Sequence, residues 1–370
     1  MWLKALELRD FRNYESLQLF DLSPRVNIFV GQNAQGKTNV VESVLMLSVA
    51  KSHRTNRDAE MIRFGEESAL LQGMVERDNR TYKLDLRLLQ KGKKSRVNGV
   101  EKRKMSDFVG HLNVVLFAPE DLQLIKGGPQ TRRRFLDVEI GQVSPQYLYN
   151  LSQYQKVLLQ RNTLLKEIAK KEKTEDLLAI WDEQLCVYGA KVLQKRFEFV
   201  DKLEGFARDI HSRISGGKEI LSFRYVNSFD WVDGADVTER FFQTLQSKRR
   251  LDILRGTTSV GPHRDDLEVR IDEREVHTYG SQGQQRTASL SMKLAEIELI
   301  KAEVGEYPVL LLDDVLSELD SERQLHLVES MGERVQTLIT TTSTYGLEQF
   351  MQEEAHVYRV DNGAMSREEG

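Results

Sequence analysis

Cysteine is almost missing from this chain of 370 residues, with Cys186 standing alone. One thiol excludes an internal disulfide and reads most simply as a core or surface thiol. The seven histidines are scattered without zinc-ligand spacing. No apolar run approaches the roughly 18 residues of a membrane span, and the first residues lack the apolar stretch of a secretion signal. A cytosolic protein without membrane partners is the expectation. Positive charge is not in excess either, since the formal net charge is −4. Any nucleic-acid binding must therefore come from local clusters. No internal repeat or low-complexity tract is visible.

What is present is an ordinary globular composition, 40% hydrophobic and 30% charged, long enough for one large domain and a smaller one. The apolar run Val26–Val30 leads into Gly31-Gln32-Asn33-Ala34-Gln35-Gly36-Lys37-Thr38 and then a helical pattern from Lys37 to Ala50. This is the G-x-x-x-x-G-K-[ST] phosphate loop in its strand–loop–helix setting. Glycines let the backbone turn N–H groups inward on an anion, and the helix N-terminus adds partial positive charge. Lys37 is suited to the β- and γ-phosphates and the Thr38 hydroxyl to Mg²⁺. The four fixed positions arise by chance in roughly one chain of this length in a hundred. The setting lowers that further and implies a nucleoside triphosphate.

Residues 1–119 otherwise read mostly as strands, including the alternating Thr81–Leu89 and the buried Leu112–Phe117. From 120 to 255 the pattern turns helical, at Pro145–Ala169, Glu175–Ile214 and Val237–Leu254, with a short strand at Leu221–Val226. This stretch reads as an inserted, mostly helical domain. Residues 256–370 return to alternation: strand Leu267–Ile271, helix Gln284–Val304, strand Val309–Leu312, helix Ser321–Met331 and strand Val335–Thr340. Asp361–Gly370 is expected to fray. The fold class is α/β.

Val309-Leu310-Leu311-Leu312 delivers Asp313 and Asp314 to a strand end, where a parallel sheet places its chemistry. In a phosphate-loop ATPase the first acid holds Mg²⁺ and the next orients or deprotonates the attacking water. Ser281-Gln282-Gly283-Gln284 opens an amphipathic helix and is either an ordinary N-cap or a second anion receptor. A second receptor makes sense if two copies face each other and each caps the other's γ-phosphate. The hairpin signal Asn98-Gly99 carries Lys93, Lys94, Arg96, Lys102, Arg103 and Lys104 around it. That ribbon is the first candidate for DNA phosphates, and Arg132 and Arg133 the second. His263, Arg264, Asp265 and Asp266 read as a turn with an Asp-capped strand rather than as a catalytic group.

Further segments join these motifs: Phe11-Arg12-Asn13-Tyr14, Pro119-Glu120-Asp121-Leu122, Gly261–Asp266 and Ser317-Glu318-Leu319-Asp320, the last like a D-loop. The set resembles the ABC-type ATPase head, in its SMC-like branch, and most nearly the RecF family of bacterial recombination mediators. The likeness spans essentially the whole chain. It implies a head of mixed sheets and helices that binds ATP with Mg²⁺, hydrolyses it weakly under DNA stimulation, and dimerises around two nucleotides. It also implies binding to double-stranded DNA and single-strand/double-strand junctions, with RecR and RecO as partners and RecA loading at gaps as the outcome. DNA repair, replication and the SOS response, in a nucleoid-associated cytoplasmic setting, follow from the same likeness. Carried onto this chain, Gly31, Gln32, Asn33, Ala34, Gln35, Gly36, Lys37, Thr38 and Asn39 hold the nucleotide, with Arg12 nearby. Thr38 and Asp313 hold the metal, Asp313 and Asp314 are catalytic, and Ser281 and Gly283 reach the partner copy's nucleotide.

Three departures point to slow turnover. Asp314 stands where such ATPases carry Glu, and the missing methylene withdraws the carboxylate by about 1.5 Å, which can cost on the order of a hundredfold. Thr341, Thr342 and Ser343 replace the usual switch histidine, and Gln123 competes with Glu120 and Asp121 for the Q-loop position. A transporter ATPase is opposed by the more than two hundred residues between Thr38 and Ser281. A DNA-binding protein that holds ATP without hydrolysing it stays open.

Overall fold

The computed structural model describes residues 1–231, 236–316, 323–324, 327, 335–344, 347 and 355–368. Its elements divide into two compact units, Met1–Leu122 with Arg213–Gly217 and Ser289–Gly370, and Gln123–Ser212 with Lys218–Ala288. Gly261–Asp266 and Ser281–Gly283 thus fall in the second unit, with the helical residues.

In the first unit, alternation builds an antiparallel sheet, and apolar runs supply the centre of a second sheet that is parallel except at its edge strand Ala364–Arg367. Chain order gives β1 (Trp2–Phe11), β2 (Tyr14–Leu19), β3 (Val26–Val30), α1 (Lys37–Val49), β4 (Ser68–Arg77), β5 (Arg80–Leu89), β6 (Lys93–Val97), β7 (Val100–Lys102) and β8 (Val114–Phe117). After the second unit come β12 (Val309–Asp313), β13 (Thr337–Thr341), β14 (His356–Asp361) and β15 (Ala364–Arg367). The antiparallel sheet runs β2-β1-β4-β5-β6-β7, and the other runs β15-β14-β3-β13-β12-β8. α1 packs on β12 and β13 of one sheet and β4 and β5 of the other. That position explains why Val40, Val41, Val44, Met46 and Leu47 are all sealed: a helix apolar on every side needs cover on every side.

The second unit holds α2 (Gln123–Lys126), α3 (Pro129–Val143), α4 (Pro145–Ala169), α5 (Leu178–Ile214), β9 (Leu221–Val226), α6 (Val237–Arg255), β10 (Asp266–Ile271), β11 (Arg274–Glu275), α7 (Val276–Tyr279) and the start of α8 (Gln282–Val304). Ser144 caps α4 by accepting the Tyr147 N–H, and Asp236 caps α6 through Thr238 and Glu239. Tyr154, Leu185, Leu193, Phe241 and Leu245 form its core.

One expectation is corrected. Asp361–Gly370 does not fray throughout, because β14 and β15 form a hairpin turned by Asn362 and Gly363, both at positive φ. β14 lies parallel beside β3, so the hairpin belongs to the sheet that carries β3 and β12. Ser317–Asp320 and most of the expected helix Ser321–Met331 lie outside the described residues.

Candidate nucleotide site

The loop between β3 and α1 is shaped by close approaches that favour glycine. A Cβ on Gly31 would sit 2.3 Å from the Val360 carbonyl oxygen, and one on Gly36 2.6 Å from Asn13 Nδ2. Gly36 also has φ +118°. The first-strand turn holds the loop from outside: Asn13 Nδ2 donates to Gln35 O at 2.8 Å, and the Tyr14 hydroxyl to Gly36 O at 3.1 Å. Asn39 Nδ2 donates to Asn13 Oδ1 at 2.7 Å. Phe11–Tyr14, flagged by the family likeness, is therefore a brace for the loop.

Lys37 is buried, and its ammonium donates to Gly31 O at 2.7 Å and Gln32 O at 2.8 Å. Burial draws it below the usual lysine range, against the opposing pull of Asp314 and Asp313. The Thr38 hydroxyl donates to Asp313 Oδ1 at 3.0 Å, and Thr340 Oγ1 donates to the same oxygen at 2.7 Å. The start of α1 and the end of β12 thus converge on one point. Among the described residues no group of three or more His, Cys, Asp or Glu side chains gathers as a cation cage. The Thr38–Asp313 pair fits instead a cation such as Mg²⁺ that takes its remaining ligands from phosphate and water. Asp314 has φ +54°, and its N–H donates to Thr340 Oγ1 at 3.0 Å. Thr340 therefore sets the geometry of both acids. Thr341, standing where the switch histidine would be, accepts the Gly31 N–H through its carbonyl at 3.2 Å.

Arg12 is committed to the protein. Its Nε and Nη2 grip Glu42 at 2.8 and 2.6 Å, and Nη1 donates to Glu60 O at 3.0 Å. Glu42, fully buried on α1, also accepts from Ser52. Burial pushes its carboxyl up, but the hydrogen bonds from Arg12 and Ser52 prevail and hold it below the usual range. Sequence reading missed this clamp because the Arg–Glu partner lies 30 residues away with no periodic relation. It also missed His53, which burial keeps below the usual histidine range and which faces the charges of Glu42, Asp313 and Glu120.

In the second unit Ser281 heads α8 in a reciprocal capping box. Its Oγ accepts the Gln284 N–H at 3.2 Å, and Gln284 Oε1 accepts the Ser281 N–H at 2.9 Å. Ser281 is exposed and Gln284 half-buried, and Gly283 sits in the first turn.

The basic candidates separate. Arg132 is buried and held bidentate by Asp266 at 2.8 Å, while Arg133 donates to Asp265 O. Lys93 turns inward to Ala50 O and Asp58. The expectation that Arg132 and Lys93 face DNA is corrected, because protein carboxylates already hold both; Arg133 rests on a carbonyl alone. Asn98 and Gly99, at φ +51° and +78°, make the predicted hairpin turn, and Lys94, Arg96, Arg103 and Lys104 are exposed there. Lys102 is half-buried. Register adds two residues that sequence spacing hides. Arg9 pairs across Leu70 to Arg87, and Arg87 pairs with Lys94, so three exposed cations share one row of the outer face. The Gly261–Asp266 group is a turn, closed by Arg264 N–H to Gly261 O at 2.8 Å, as its sequence suggests.

The profile of the RecF/RecN/SMC N terminal domain family matches residues 2–366. A curated DNA replication and repair protein RecF of Bacillus cereus is 49% identical over 372 residues, covering 100% of this chain and 99% of that protein. A counterpart of Bacillus mycoides matches equally well, with the same identity and coverage. A solved structure of the recombination mediator protein RecF with ATP, of the RecFOR pathway, superposes with a TM-score of 0.92 at 35% identity, covering 100% of this chain and 98% of that one. An Smc head bound to the C-winged helix domain of ScpA shares the fold alone, with a TM-score of 0.54 and 15% identity over 100% of this chain and 97% of that one.

Proposed function

The chain belongs to the RecF family, within the RecF/RecN/SMC N-terminal domain group, and on that premise we propose that it is an ATP-dependent DNA-binding protein of recombinational repair and replication. ATP seats in the Gly31–Thr38 loop with Asn39 beyond it. Lys37 exchanges its two carbonyl partners for phosphate oxygens, and Thr38 with Asp313 holds Mg²⁺. Asp314 positions the attacking water from a shorter arm than a glutamate, so hydrolysis is slow and serves as the off-switch. Arg12 acts through Glu42, fixing α1 and with it the loop.

Two copies sandwich two nucleotides, Ser281 and Gly283 of each capping the γ-phosphate held by the other. Dimer stability then follows the γ-phosphate and ends with its loss. The row Arg9, Arg87 and Lys94, with Arg96 and Arg103 near it, tracks the DNA backbone without reading sequence. Double-stranded DNA and single-strand/double-strand junctions are the substrates, and RecR with RecO the partners through which the protein helps RecA load at gaps. Among the described residues no helix is long and apolar enough to cross a membrane. A cytoplasmic, nucleoid-associated location suits the role.

The observation that carries this reading is the meeting of Thr38 and Asp313 at 3.0 Å beside a glycine-built loop. Light scattering without nucleotide, with ADP and with ATP–Mg²⁺ tests it on wild type, Lys37→Met and Ser281→Arg. A dimer seen only with ATP and lost in both variants is expected; a monomer throughout removes the two-headed reading. For the DNA surface, replacing Arg9, Arg87 and Lys94 together by Gln should reduce the slope of log affinity against log salt by about 3. An unchanged slope assigns DNA to another face. The short arm of Asp314 also supports a protein that holds ATP without turnover, and single-turnover hydrolysis separates the two.

A further inference from the structure

Tyr279 is 72% exposed, yet the backbone that carries it is fixed. It ends the single-turn helix α7, where Gly280 N–H donates back to Val276 O at 3.0 Å. Gln285 Nε2 reaches back from α8 to Val276 O at 3.2 Å and His277 O at 3.4 Å. A Cβ on Gly280 would lie 2.6 Å from Val276 O, so the stem tolerates only glycine there. The backbone beneath the phenol ring is thus preorganised, two residues before Ser281. With that backbone fixed, the ring has only its two side-chain torsions to lose when it meets a partner.

Beside the ring lies a cavity of about 310 Å³, lined with Ile271, Asp272, Arg274, Gly280 and Gln284. Its size falls at the lower end of small-ligand sites, which begin near 300 Å³. Gln284 serves twice: it walls the cavity, and its Oε1 accepts the Ser281 N–H at 2.9 Å. Occupant and Ser281 therefore share one residue. Asp272 gives one oxygen to the Ile220 N–H at 3.0 Å, leaving the other to accept from a hydroxyl or amine.

We propose that this cavity and the Tyr279 ring receive the nucleoside end of a nucleotide held in the phosphate loop of a second copy. The assignment rests on the reading that Ser281 faces that nucleotide. Charge orders the two ends. The anionic phosphates belong at Ser281 and the first turn of α8, where a hydroxyl and the helix dipole favour them. The cavity's carboxylate, Asp272, and its guanidinium, Arg274, offset each other, so the lining suits a neutral, hydroxyl-rich ribose. A phenol face stacks on a purine, and the backbone span of at most about 7 Å from Tyr279 to Ser281, lengthened by the tyrosine side chain, lets the ring reach past a triphosphate to the base.

The test titrates ATP–Mg²⁺ into the full chain while light scattering reads the dimer. Wild type, Tyr279→Ala, Tyr279→Phe and Ser281→Arg are compared, and ATP affinity is measured separately on dilute monomer. Tyr279→Ala should raise the ATP concentration at half-dimer about tenfold, with Tyr279→Phe close to wild type and monomer affinity unchanged in both. A Tyr279→Ala titration that overlays wild type while Ser281→Arg stays monomeric overturns the cavity assignment and leaves the two-headed reading standing. A wild type that never dimerises with ATP overturns both.

Discussion

In the second unit Arg161 gives its guanidinium to Asp182 and Asp252 at 2.6 and 2.8 Å and is sealed from water. In the first unit Lys37, also buried, leans on two neutral carbonyls of its own loop. Arg196 repeats the closed pattern, bound to Asp137, Tyr147, Tyr225 and Pro262 O. A cation locked on carboxylates is already neutralised and has nothing to offer a guest. A cation resting on carbonyls can move to a phosphate and gain. Density of charge therefore marks architecture as readily as chemistry, and the identity of the acceptors tells them apart.

The comparison breaks most visibly at its closed end. Arg161→Ala leaves the buried Asp252 without its cation and Asp182 with Arg249 alone, and should cost about 3–5 kcal/mol of stability in urea unfolding. ATP affinity of the folded fraction should not change. A loss below about 1 kcal/mol would show that the network is dispensable. At the open end, Lys37→Met should do the reverse: ATP hydrolysis falls about a hundredfold or more, while stability without nucleotide moves by less than about 1 kcal/mol. Measured unfolding of Lys37→Met by several kcal/mol would make the lysine a structural strut instead.

Acid sharpens the contrast by a smaller amount. His263 donates from Nε2 to Thr258 O at 3.1 Å and accepts the Tyr154 hydroxyl at Nδ1, an arrangement that needs the neutral ring. Burial takes its pKa down to about 4 from 6.5. Between those values the unfolded chain binds the proton and the folded one does not, so stability falls as pH drops through that window. Asp121 in the first unit is opposite: burial raises its pKa from 3.8 to about 6, so the folded state takes up the proton first and stability rises as pH drops through 6. Wild-type Tm should change little between pH 7 and 5 on account of these two groups. Asp121→Asn should then lose a few degrees more than wild type over that step, and His263→Gln a few degrees less. Identical pH profiles in all three proteins would remove both assignments.

The phosphate loop, the acid-bearing strand β12 and the Asn98-Gly99 turn were legible because each is local: a spacing, an apolar run, a dipeptide with a required φ. The family likeness extended that reading to Ser281 and to the brace at Phe11–Tyr14. What stayed hidden depends on register and on distant pairing. Arg132 looks like a surface cation in sequence, and only its ion pair with Asp266, 134 positions away, shows that it is spent. Arg9, Arg87 and Lys94 occur in three separate segments, and only strand register puts them in one row. The hairpin at 356–367 was hidden by its polarity, since its exposed strand edge carries few apolar residues.

That hairpin is stitched to the nucleotide loop. Asn362 N–H donates to Gln35 Oε1 at 2.6 Å, and Gly363 N–H to Gln35 O at 3.2 Å. Cys186, the chain's sole thiol, is buried. A cysteine introduced at the exposed Ala364 would therefore take a fluorescent dye at one place, a few residues from the loop's outer wall. The fluorophore becomes a gauge of loop rearrangement in real time, and a cut before His356 silences it along with the loop it supports.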